Sequence, residues 1–192
     1  MAVVFERRRF TVDEFERMAE AGILTEDDRV ELIHGEIIQM SPIGRRHMAV
    51  VNRCAGAFAD AFARRRVIVS VQNPVRLGDE YEEPQPDLAL LRPREDDYES
   101  TKPEPPDIFL VIEVADSSLT YDRQVKLPLY AQAGIGEAWL LDLEGEALEV
   151  HRQPGPRGYA LVRRYRRGEH VAPEALPDLE IAVEHLLGRA RA

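Results

Sequence analysis

The chain has 192 residues, 44% of them hydrophobic and 31% charged, with a formal net charge of −10. That length can bury one sizeable core, and no apolar run approaches the ~20 residues of a membrane span. The acidic balance counts against a protein that grips nucleic acid by phosphate neutralisation alone. One cysteine, Cys54, excludes an internal disulfide and any cysteine-rich metal site. MAVVFERRRF at the N-terminus lacks a signal-peptide core, so a cytoplasmic setting and no membrane partner are expected. Of the 25 basic residues only Lys102 and Lys126 are lysines. In so arginine-rich a chain, a lysine hints at a position that needs a compact amine.

In chain order, Thr11 and Glu14 form a capping-box pair that predicts a helix closed at Gly22. RVELIHGEIIQM reads as two strands around a turn at His34-Gly35, and Ser41-Pro42 breaks the pattern. GRRHMAVVNRCAGAFADAFARRR predicts a long helix with Met48, Val51, Ala55, Phe58 and Phe62 on its apolar face. VIVSVQNPVRL is a predicted strand, GDEYEEPQP an acidic loop, DLALL a short strand from Asp87, and residues 92–106 a Pro-rich surface loop. The run Ile108–Val114 reads as a strand buried on both faces, followed by the loop ADSSLTYD and a helix around RQVKLPLYAQAG, with Pro128 marking a kink or a first turn. EAWLLDL, ALEVHRQ and GYALVRRYRR are further strands, with turns at Glu144-Gly145 and Pro154-Gly155, and LPDLEIAVEHLLGRARA ends the chain. With no repeat and no linker, a single α/β domain is expected.

Glu113 lies in the middle of the most apolar strand, where a carboxylate is costly unless something pairs with it. One of the 23 arginines would serve, and so would a metal ion. Asp87 sits at the mouth of the preceding strand, and Lys126 on the helix that follows. Two carboxylates on neighbouring strands can share Mg2+ or Mn2+, which take oxygen ligands. A nearby lysine can then act on a water or on charge developing at phosphorus. That set is the minimum for metal-dependent phosphodiester hydrolysis.

An upstream acid, then "PD", then a strand with an acid and a lysine, resembles the PD-(D/E)XK nuclease superfamily. The chain is most similar to its Uma-two-type restriction-endonuclease-like branch, through VELIHGEI, SPIGRRH, PQPDLALL, LVIEVADSSLTYDRQVKLPLYAQAGIGEAWLLD and LPDLEI. The resemblance implies a restriction-endonuclease-like α/β fold, a central mixed sheet flanked by helices. An N-terminal helix and hairpin would span 1–43, a nuclease-like core 44–142, and C-terminal strands and a tail 143–192. Where the superfamily pattern has its lysine, two residues after Glu113, this chain has Ala115. The resemblance moves that role to Lys126 on the next helix. It makes Asp87 and Glu113 metal ligands, with the Val114 carbonyl as a third, Glu31 the upstream acid, and Gln72 a lining residue.

Plainer readings stand beside these. Asp122, Lys126 and Tyr130 fall four apart, and an exposed helix face accounts for them cheaply. His47 either approaches the site or caps its helix. Arg163, Arg164, Arg166 and Arg167 read as charges guarding an edge strand. The leading expectation is a Mg2+- or Mn2+-dependent DNA endonuclease working as a homodimer. The alternatives are a non-catalytic interaction protein on the same fold, or a phosphoesterase acting on RNA or nucleotides.

Overall fold

Thr11 accepts from the Glu14 amide while the Glu14 carboxylate accepts from Thr11, so the predicted capping box opens α1 (Val12–Glu20). The computed structural model describes residues 7–25, 27–78 and 80–190. Strands β1 (Val30–Ile33) and β2 (Glu36–Gln39) form an antiparallel hairpin. Its two turn residues, His34 and Gly35, both have positive φ, 54° and 72°. That pair of left-handed residues gives the turn whose twist suits a two-residue hairpin.

The long predicted helix is two helices, α2 (Arg45–Ala57) and α3 (Ala59–Ala63), broken at Phe58. Its apolar face is also phased differently from the sequence expectation. Val50, Val51, Cys54, Phe58 and Ala61 are buried, whereas Met48 and Phe62 are 52% and 54% exposed. The break shifts Phe62 off the stripe, and Met48 lies to one side of it. The predicted strand over 67–77 shortens to β3 (Ile68–Val71), because Gln72 turns left-handed at φ 50°. Beyond Gln72 the chain bonds to the 82–84 segment and to Pro103 without forming a strand.

Next come β4 (Leu88–Leu91) and β5 (Ile108–Ala115). A helical crossover follows: α4 (Leu119–Tyr121), one π-wound turn (Asp122–Lys126) and α5 (Leu127–Gln132). Pro128 lies in the first turn of α5, just after the widened turn, where its missing N–H is tolerated. The crossover makes β6 (Glu137–Asp142) parallel to β5. The antiparallel strands β7 (Ala147–Gly155) and β8 (Gly158–Arg166) complete the sheet. Their turn falls at residues 156–157, two beyond the predicted Pro154-Gly155, because both of those residues pair with β8. β9 (His170–Val171) and β10 (Ile181–Ala182) pair with each other ahead of α6 (Val183–Leu187).

The six-stranded mixed sheet has the order β3-β4-β5-β6-β7-β8. One face packs Leu88, Leu110, Ile112, Val114, Trp139 and Leu141 against α2, α6 and the C-terminal segment. The other packs Val111, Ala115, Ala138 and Leu140 against Leu127 and Tyr130 of the crossover. β8 is the sheet's edge, and its arginines meet acids: Arg164 reaches Asp142 and Arg163 reaches Glu169. No helix among the described residues is long and apolar enough to cross a membrane.

Candidate active site

β4 and β5 pair antiparallel with Leu88 opposite Ile112, which brings Asp87 beside the end of β5 that carries Glu113. The Val114 amide donates to Asp87 Oδ2 at 2.8 Å, fixing that carboxylate at the sheet end. His47 Nε2 lies 3.0 Å from the same oxygen, and Gln72 Nε2 donates to Asp87 Oδ1 at 3.2 Å. His47 stands three, four and seven residues before Val50, Val51 and Cys54. It therefore continues the buried face of α2 into the site and does not cap the helix.

In the same cleft, Lys126 is 3% exposed and its Nζ meets three acceptors: Glu113 Oε1 at 2.8 Å, the Gln85 carbonyl at 3.0 Å and Glu31 Oε2 at 3.3 Å. An ammonium has three N–H groups, so this set uses them all. Glu31, on β1, also accepts from the Gln85 amide and, at 3.1 Å, from the Tyr121 hydroxyl. Tyr130 donates to Glu113 Oε1 at 2.6 Å, and Asp122 accepts from Ser118 at 2.5 Å. The exposed-helix-face reading of Asp122, Lys126 and Tyr130 therefore fails, since all three are buried. Four residues overshoot one α-helical turn by ~40°. The wider π turn between Asp122 and Lys126 rotates less per residue and so offsets that drift along the crossover.

Glu31, His47, Gln85, Asp87, Glu113, Asp122 and Lys126 line a cleft of about 480 Å³ whose rim includes Arg29, Met40, Ile43, Gly44 and Ser117. Of the residues expected from the sequence, Glu31, His47, Asp87, Glu113 and Lys126 line this cleft, whereas Gln72 and Val114 lie outside its lining and reach it through their bonds to Asp87. Asp122, Tyr121, Tyr130 and Gln85 were not foreseen. The i, i+4 spacing of Asp122, Lys126 and Tyr130 was the available signal for that face. Nothing in the sequence singled out the Gln85 main chain.

The electrostatics are lopsided. Five carboxylates, Glu31, Asp87, Glu113, Asp116 and Asp122, share the cleft with Arg29, Lys126 and His47. Burial, with Asp122 and Asp87 adding to it, pushes Glu113 up to about 8 against the pull of Lys126. Asp122 is raised too, first by burial and then by Asp87 and Glu31. Burial opposes charge on Lys126, but Glu113, Glu31 and Asp122 outweigh it and hold the ammonium protonated. For Asp87, burial is outweighed by His47, Lys126 and the Val114 amide, so it stays ionised. His47 is raised because Asp87 and Asp116 overcome its burial.

Among the described residues, no three His, Cys, Asp or Glu side chains close on one point as a ready metal cage. The donor set that fits a hard divalent cation is smaller: two carboxylates, Asp87 and Glu113, at the ends of neighbouring strands. Mg2+ is commonly held by one or two carboxylates, with waters and substrate phosphate completing the shell.

A mixed sheet with an acid–lysine cleft at the end of its central strands defines a restriction-endonuclease-like α/β protein. Residues 12–184 match the model of the Uma2 family, described as "Putative restriction endonuclease", and the chain belongs to that family. A solved structure from Anabaena variabilis ATCC 29413, described as "a putative nuclease belonging to DUF820", shares the fold. Its TM-score is 0.72 at 20% identity, over 93% of this chain and 97% of that one. No curated protein matches the chain.

Proposed function

We propose that the protein is a divalent-cation-dependent nuclease that hydrolyses phosphodiester bonds in DNA. The observation that carries this reading is the convergence of Asp87, Glu113, Glu31 and Asp122 around Lys126 in one cleft. Asp87 and Glu113, with the Val114 carbonyl as a third ligand, would hold Mg2+ or Mn2+. The cation, when bound, lowers the pKa of a coordinated water and polarises the phosphate.

The chain's own groups do the rest. Lys126, protonated and gripped on three sides, serves as a fixed positive charge near the phosphate and not as a base. Glu31 and the Gln85 carbonyl hold that charge in place. His47 and Gln72 orient Asp87. Arg29 at the rim offers a contact for the phosphate on either side of the cut. A homodimer would set two such clefts against the two strands of a duplex. The net charge of −10 and Ala115 in the place of the superfamily's lysine favour a second reading, a non-catalytic interaction protein on the same fold.

The test is cleavage of supercoiled, linear and single-stranded DNA, with RNA alongside, in Mg2+ and then Mn2+. Low salt is used because a protein of this charge binds DNA weakly. Cutting that requires the cation and is lost in Asp87→Ala and Lys126→Ala supports the nuclease. No cutting of any substrate, or equal cutting by all three proteins, leaves the interaction role.

A further inference from the structure

Tyr130 is fully buried on α5, one turn beyond Lys126. Its ring packs in the apolar layer with Leu127, Ile135 and Leu140, a setting that phenylalanine would fill equally well. The hydroxyl is the added feature, and it donates to Glu113 Oε1 at 2.6 Å. Lys126 donates to the same oxygen at 2.8 Å. Both described bonds to the Glu113 carboxylate thus fall on one oxygen. A carboxylate pinned through one oxygen from two directions has the other oxygen fixed in direction, and Glu113 lines the cleft. Tyr130 itself is outside the cleft lining, so it acts on the site only through Glu113.

We propose that Tyr130 is a positioning residue whose hydroxyl aims Glu113 at the divalent cation that Asp87 and Glu113 would hold. The role rests on the metal-dependent reading above. Partners that orient a metal ligand change cation affinity by about 10–100-fold when they are removed. A hydroxyl that merely completes the core would not.

Tyr159 supplies the matched control. It is a part-buried tyrosine on β8, packed near the same apolar layer, and its hydroxyl donates to the Ile135 carbonyl at 2.9 Å, outside the cleft lining. Mn2+ affinity is measured by electron paramagnetic resonance of the free ion for the unaltered protein, Tyr130→Phe and Tyr159→Phe, without nucleic acid. Tyr130→Phe should bind Mn2+ about 10–100-fold more weakly, and Tyr159→Phe as the unaltered protein does. The rise in the thermal transition on adding Mn2+ is a second measure that a weakened variant can still report. It should shrink in Tyr130→Phe alone. Equal Mn2+ affinity in Tyr130→Phe and the unaltered protein overturns the positioning role and leaves the metal site standing. Equal weakening in both variants assigns the effect to general loosening and also overturns it. If the unaltered protein binds no Mn2+, the metal reading fails first and the role falls with it.

Discussion

Replacing Glu113 by glutamine should stabilise the protein while disabling its site. The fold raises Glu113 from an ordinary 4.5 to about 8, so between those values the folded state holds a proton that the unfolded chain has released. Stability from such a group is complete at low pH and is lost as pH climbs through the folded value. One unit is worth about 1.4 kcal/mol, so ionising Glu113 removes up to about 5 kcal/mol across the window. The glutamine side chain never ionises, keeps an acceptor for Lys126 and Tyr130, and avoids that loss. Glu113→Gln and the unaltered protein should be equally stable near pH 4 and differ by about 3 kcal/mol near pH 7, the variant being the more stable. Urea unfolding at a series of pH values, without divalent cations, measures this. The variant's slope should shrink without vanishing, because Asp122, Glu83 and His47 are also raised and act with the same sign. Parallel pH profiles for the two proteins would refute the reasoning, and so would a variant less stable at high pH.

Lys126→Met strips the countercharge from three buried acids and should cost about 3–5 kcal/mol at pH 8. The cost should be smaller near pH 5, where Glu113 is protonated, and urea titrations at the two pH values compare them. Gly35→Ala forces a left-handed residue at φ 72° and puts a methyl 3.1 Å from the Phe10 carbonyl oxygen. It should lower stability by about 1–3 kcal/mol in thermal unfolding. Phe58→Ala empties a fully buried ring site 6.3 Å from Trp139. The expected loss is about 3–5 kcal/mol, read by tryptophan fluorescence during denaturation.

The fold and the acids were largely legible because their signals are local. The capping box at Thr11, the His34-Gly35 turn and the apolar run of β5 each follow from neighbouring residues. Glu113 announced itself by its apolar setting. Asp122 and Tyr130 did not, because i, i+4 spacing describes a solvated face and a buried one equally well. Only the packing of the crossover on the sheet decides between them. The break at Phe58 and the left-handed Gln72 were equally hidden. Their sequence neighbourhoods favour continuing the helix and the strand, and tertiary contacts override them.

Both lysines hold buried glutamates at the two ends of one segment. Lys102 joins Glu83 at 2.6 Å and Glu16 at 2.8 Å. Lys126 takes the Gln85 carbonyl, and the Gln85 amide donates to Glu31. Two residues on, Asp87 is met by His47, Gln72 and the Val114 amide. Residues 83–87 are thus tied at Glu83, Gln85 and Asp87, and the last tie places the principal acid of the cleft. At Lys126 the three acceptors surround one point, and a compact ammonium can meet them all, whereas the planar fork of arginine spreads its donors across a sheet of space. A chain that uses arginine nearly everywhere therefore keeps lysine where the acceptors converge. The same burial that fixes this lysine raises Glu113 and Asp122. The stability given up there is what a site selected for chemistry, and not for packing, is expected to show.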